Sequence, residues 1–180
     1  MEFNVTHTYQ ESADTVFAVL TDFECVREKY EALGHGDVEL IARDEHADGG
    51  LTLVTRRVVP LELPGFAMKV LSPRQTVTQT DKWSVADAKG VRTGTFEVAG
   101  TPVQVRGTMR LAPSGKKRCN SATNATVECR LPLIGGKLVG IVAGDTKRAV
   151  DHEQVWISAH LSARRVAGSR SRSRPALDTV

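Results

Sequence analysis

A chain of 180 residues, 41% hydrophobic and 25% charged, has the size and balance of one globular domain and excludes a disordered polymer. No apolar run approaches the roughly 20 residues of a membrane-spanning helix. The start, Met1-Glu2-Phe3-Asn4, has neither the basic nor the apolar stretch of a signal peptide, so a cytoplasmic protein is expected. The net charge of +3 belongs to the end of the chain. Residues 165–180 carry Arg165, Arg170, Arg172 and Arg174 against the single acid Asp178, and the other 164 residues hold 20 basic and 20 acidic side chains. A neutral body does not call for the basic patch of a nucleic-acid binder, and no specific nucleic-acid partner is expected.

Taken in chain order, residues 2–9 alternate, with Phe3, Val5, His7 and Tyr9 on one face, which predicts a half-buried strand. Ser12 caps a short helix with Asp14 in its first turn, and a second helix runs from about Glu24 to Leu33, closed by Gly34. From Asp37 onward, Val, Thr and Leu segments recur between turn signals such as Asp48-Gly49-Gly50 and Pro113-Ser114-Gly115. They predict antiparallel strands near 37–45, 51–59, 74–85, 91–99, 102–112 and 118–131. Pro64-Gly65-Phe66-Ala67-Met68 reads as a crossover loop or a single helical turn. Pro132 ends the sheet, Gly135-Gly136 reads as a hinge, and a helix is predicted from Lys137 to Arg164, roughly 40 Å long at about 1.5 Å per residue. The Arg/Ser segment 165–180 is too poor in apolar residues to order itself, which divides the chain into a domain at 1–164 and a disordered basic tail. That tail could make weak contact with an anionic surface.

Strand, two short helices, six strands and one long helix is an α+β order. It resembles the helix-grip fold of START lipid-transfer domains, the birch-pollen-allergen family and bacterial polyketide cyclases (the SRPBCC superfamily). Locally, Leu131-Pro132-Leu133-Ile134-Gly135-Gly136-Lys137-Leu138, Asp22-Phe23 and the segment Glu153–Trp156 resemble a mainly actinobacterial family of unknown function in that superfamily. The resemblance implies a curved sheet of about seven strands wrapped round the C-terminal helix and a habit of binding apolar ligands. The Arg/Ser tail lies outside the pattern.

A single helix cannot fill a wide concave sheet, and small inner residues (Thr146, Ala149, Gly107) enlarge the gap. The expected pocket is lined by Val142, Thr146, Ala149, Val150, Glu153 and Trp156 on the helix, Val105, Met109 and Trp83 on strands, and Phe66 and Met68 in the loop. A collapsed core is the competing expectation. Thr146, Glu153 and His160 recur at seven-residue spacing within the helix's apolar stripe. A glutamate there is costly unless paired, hydrated or protonated. It could fix a ligand's polar end, act as a general acid or base with His7 or His160, or form a salt bridge to Arg57 or Arg106. His7 shares the inward set of the first strand and could face Glu153.

Cys25, Cys119 and Cys129 lack metal-ligand spacing. On one strand, Cys119 and Cys129 stand roughly 30 Å apart at about 3.3 Å per residue, too far for a disulfide. No metal, cofactor or nucleotide motif is present. Binding of a hydrophobic or amphipathic small molecule or lipid is the leading expectation. A polyketide cyclase/dehydratase-type enzyme using Glu153 and a histidine, or a partner-binding module, stands beside it.

Overall fold

The computed structural model describes residues 1–172 apart from Val70, with the backbone alone from 167 onward. Its strands are β1 (Glu2–Tyr9), β2 (Gly36–Glu45), β3 (Leu51–Pro60), β4 (Arg74–Trp83), β5 (Arg92–Ala99), β6 (Val103–Pro113) and β7 (Cys119–Cys129). They form one sheet in the order β1-β7-β6-β5-β4-β3-β2, antiparallel throughout. Because β1 pairs with the last strand, the chain must cross to the far edge before β2. Two short helices, α1 (Ala13–Thr21) and α2 (Phe23–Ala32), make that crossing.

Their caps follow from sequence. Ser12 Oγ accepts from the Thr15 amide at 3.2 Å and Asp22 Oδ1 from the Cys25 amide at 3.0 Å, satisfying orphan first-turn donors. The Cys25 amide also holds the Asp22 carboxyl below its ordinary pKa. Gly34, at φ +83°, takes the left-handed position that ends α2.

The long helix α3 spans Gly135–Arg172. The Gly135-Gly136 pair is its first turn rather than a hinge before it. Gly135 is buried there, and a Cβ on it would stand 3.3 Å from the Cys129 carbonyl. The helix also passes the boundary expected after Arg164. Arg165 Nη1 reaches Glu11 Oε1 at 3.5 Å, and Arg170 and Arg172 lie on the last turns. Residues 173–180, and with them Arg174, lie outside the described residues.

Register lines up the inner face. One rung reads Phe3, Ala125, Gly107, Phe96, Asp81, Leu53 from β1 to β3, and the next in one direction carries Val127, Val105, Val98, Gln79 and Thr55. Gly107 does not widen the cavity as its size suggested. A Cβ there would meet the Asn124 carbonyl at 2.0 Å and the Phe96 ring at 2.7 Å, so Phe96 already covers it.

The core divides in two along α3. One cluster joins Val16, Tyr9, Trp83, Leu111 and Cys119 to Ile157 and Leu161, near the helix's C-terminal half. The other joins Ala67, Leu71, Phe96, Val103, Val105 and Val127 to Leu138 and Ala143, near its start.

Candidate functional site

Between those clusters α3 is not sealed. Leu138, Ala143, Ile157 and Leu161 are buried, whereas Thr146, Ala149, Val150 and Glu153 between them are only half-buried. The helix packs chiefly on β7, β1 and β6 and touches α2, with no comparable packing on β3, β4 or β5. The inner residues Gln79 and Asp81 of β4 are likewise half-buried.

A polar cluster occupies this region. Lys29 of α2, 5% exposed, donates through Nζ to Glu153 Oε2 at 2.7 Å. Arg57 of β3, 6% exposed, donates from Nη2 to Gln79 Oε1 at 2.7 Å and from Nε to His35 Nδ1 at 3.1 Å. Its guanidinium carbon stands 3.9 Å from the Tyr30 ring centroid, and Tyr30 stacks on His35 at 5.3 Å. Tyr30 Oη donates to Gln79 Oε1 at 3.1 Å, and Gln79 Nε2 donates to both Asp81 oxygens at 2.9 and 3.1 Å. Among the described residues Arg57 Nη1 is buried without a partner. An orphan donor of that kind costs about 1–3 kcal/mol.

Burial sets the protonation states. It pushes the Asp81 carboxyl up to about 6, against the lowering pull of Gln79, Lys29 and Arg57. Burial, aided by Arg57, pushes His35 down to about 4. An Nδ1 that accepts from arginine must in any case be unprotonated. Burial alone would lower Lys29, but the Glu153 carboxylate, together with Tyr30 and Asp81, outweighs it and the net shift is upward.

The residues expected from sequence fall in several places. Glu153 reaches the cluster, yet its partner is Lys29. Arg57 turns to Gln79 and His35 instead, and Arg106 pairs with Glu128 at 3.0 Å between exposed side chains. His7 does not face Glu153; its Nε2 meets Asp151 Oδ1 at 2.9 Å. His160 stacks on Trp156 at 4.7 Å and stands 3.8 Å from Cys25 Sγ. Thr146 Oγ1 is spent on its own helix, donating to Val142 O at 2.7 Å.

Trp83 is core, 5% exposed and edge-on to Phe17. Val105 and Val142 belong to the cluster near the start of α3, and Met109 touches both clusters. Phe66 and Met68 are exposed, at 38% and 57%. They flank Ala67, which is buried in the 3-10 turn Ala67–Lys69.

Lys29, Tyr30, His35, Gln79 and Asp81 were not anticipated, and Arg57 only as a partner for Glu153. Strand parity carried a signal for three of them. Arg57 shares its face with Leu51, Leu53 and Thr55, and Gln79 and Asp81 share theirs with Val77 and Trp83. Polar groups in phase with a buried stripe mark an inward polar site.

A curved antiparallel sheet closed by two short helices after β1 and gripped by a long C-terminal helix defines a helix-grip protein. The chain belongs to the family described as "Protein of unknown function (DUF2505)", whose profile matches residues 4–161. No curated protein matches the sequence.

Similar solved structures include TTHA0849 from Thermus thermophilus, with a TM-score of 0.63 and 16% identity, covering 91% of this chain and 99% of that one. The ZhuI aromatase/cyclase from Streptomyces sp. R1128 has a TM-score of 0.63 and 17% identity, covering 92% and 95%. The human StarD13 (DLC2) lipid transfer and protein localization domain has a TM-score of 0.55 and 13% identity, covering 88% and 75%. At these identities the likeness is one of fold. Among the described residues no helix is long and apolar enough to cross a membrane.

Proposed function

We propose that the protein binds a hydrophobic or amphipathic small molecule, or a lipid, between the sheet and α3, for transport or sequestration. The observation that carries this reading is the half-buried middle of α3 between two sealed ends, where the helix packs chiefly on β7, β1 and β6 and far less closely on β3–β5. An apolar space touched by a few convergent polar groups is the usual form of a small-molecule site. The apolar body would lie along Val150, Ala149, Met109 and Val98, and the polar end at the Lys29–Glu153–Arg57–Asp81 cluster. The fold shared with a lipid transfer domain and with an aromatase/cyclase is compatible with such a cargo.

A cyclase-type reaction through Glu153 is less well supported. Glu153 is engaged by Lys29, while His7 turns to Asp151 and His160 to Trp156 and Cys25. Three unpaired cysteines favour a reducing compartment, the cytoplasm, as the place of work.

Native mass spectrometry of gently purified protein tests the reading. A co-purified amphipathic mass, displaced by an apolar fluorescent probe that quenches Trp156, is expected. Protein that is empty across several preparations and binds no probe would overturn it in favour of a partner-binding module.

A further inference from the structure

We propose that Arg57 is the recognition group of the binding region proposed above and that its ligand is a carboxylate-headed amphiphile, a planar monoanion on an apolar body. The inference rests on the binding role proposed above and narrows its ligand. Three observations carry it.

Arg57 is buried, with only 6% of it exposed, and its nitrogens are not equally engaged. Nε is spent on His35 and Nη2 on Gln79, while Nη1 is buried and has no partner among the described residues. Stacking over Tyr30 fixes the plane of the guanidinium, so the unpartnered Nη1 has a set direction. A donor-only group with one unpartnered nitrogen selects an acceptor-only oxygen.

Two cations, Lys29 and Arg57, and two carboxylates, Glu153 and Asp81, share the cluster. Of the two carboxylates in the cluster, Glu153 is held by Lys29 and Asp81 by the Gln79 amide. Neither touches Nη1. Lys29 Nζ, among the described residues, donates to Glu153 only, so both cations keep unused N–H groups. The raised pKa of Asp81 lets that acid take a proton when a third negative charge arrives, so the anion enters without adding net charge. A cationic head would instead meet two buried cations.

The neighbouring positions are apolar. Val77 lies opposite Arg57, Val98 opposite Gln79, and Phe96 and Leu53 on either side of Asp81. Such surroundings suit a chain or ring attached to the head. They add no donor to those of Arg57 and Lys29.

The test is displacement of the neutral dye Nile red by decanoate, 1-decanol and decylammonium, which share one tail. On the wild-type protein decanoate is expected to displace the dye at concentrations roughly tenfold or more below decanol, with decylammonium weakest. Arg57→Gln should close the gap between decanoate and decanol to within about twofold while leaving decanol unchanged, and Arg57→Lys should keep part of it. Equal displacement by decanoate and decanol overturns the carboxylate assignment and leaves the binding role standing. No binding of dye or amphiphile overturns both. If Arg57→Gln fails to fold, the wild-type head-group series decides the carboxylate assignment and Arg57→Lys decides the residue, an undiminished gap in that variant overturning the role of Arg57.

Discussion

Lys29 and Glu153 share an ion pair but not an environment: the side chain of the lysine is 6% exposed and that of the glutamate 24%. The two halves of the pair therefore fail differently when one is removed. Glu153→Gln leaves an ammonium stranded inside, and breaking a buried pair in this way costs about 3–5 kcal/mol, the lower end applying here because Glu153 is partly hydrated. Lys29→Met leaves a carboxylate that can turn toward water, and it is expected to cost less than half as much. The double variant should recover most of the loss in Glu153→Gln. Urea unfolding of the three variants measures this. Equal costs for the two single changes would show that solvent reaches Lys29 as easily as Glu153. Glu153 was legible in sequence as a charge in an apolar stripe. Its partner was not, because Lys29 lies 124 residues away and nothing local distinguishes it from a solvated lysine of an amphipathic helix.

At the scale of elements, the order and most boundaries were legible because local chemistry decides them. Ser12, Asp22 and Gly34 act within one turn, and alternation identifies a strand without its neighbours. What stayed hidden is set by neighbours. The strand expected to end near 131 stops at Cys129, and Gly135-Gly136 starts α3 because packing against the Cys129 carbonyl outweighs glycine's poor helix propensity.

The glycines give a paired test of that distinction. Gly140 lies within α3, and a Cβ added there meets nothing within 4 Å, so Gly140→Ala should stabilise by about 0.5–1 kcal/mol. Gly107 on β6 would push a Cβ into the Asn124 carbonyl and the Phe96 ring. Gly107→Ala should cost about 1–3 kcal/mol or more, because backbone must move as well as side chain. Thermal melts compare the two. A neutral Gly107→Ala would mean that β6 and β7 can part without loss, contrary to the continuous register between them.

For the molecule as a whole, the interior polar cluster makes stability a function of pH, with two groups acting in opposite directions. His35 holds a pKa of about 4 against an ordinary 6.5. As the pH falls from about 6.5 toward 4, the unfolded chain takes a proton that the folded chain refuses, and stability is lost. Asp81 holds a pKa of about 6 against an ordinary 3.8. Below about 3.8 both states carry its proton. As the pH rises from there to about 6, the unfolded chain releases the proton while the folded chain keeps it, so stability falls in the other direction. Each group contributes on the order of 3 kcal/mol, and the two slopes nearly cancel over the same window. The wild-type protein should therefore show little net pH dependence from this cluster between about pH 4.5 and 6. His35→Gln removes one slope and should give a protein whose stability falls as the pH is raised toward about 6. Asp81→Asn removes the other and should give one whose stability falls as the pH is lowered below about 6.5. Below about pH 4, protonation of Asp22, whose pKa is held low by the Cys25 amide, adds an acid-side loss common to all three. Urea midpoints from about pH 4.5 to 7.5 for wild type and both variants decide the matter. Three parallel curves would mean that neither group is held away from its ordinary titration, and that the space around Arg57 is open to water.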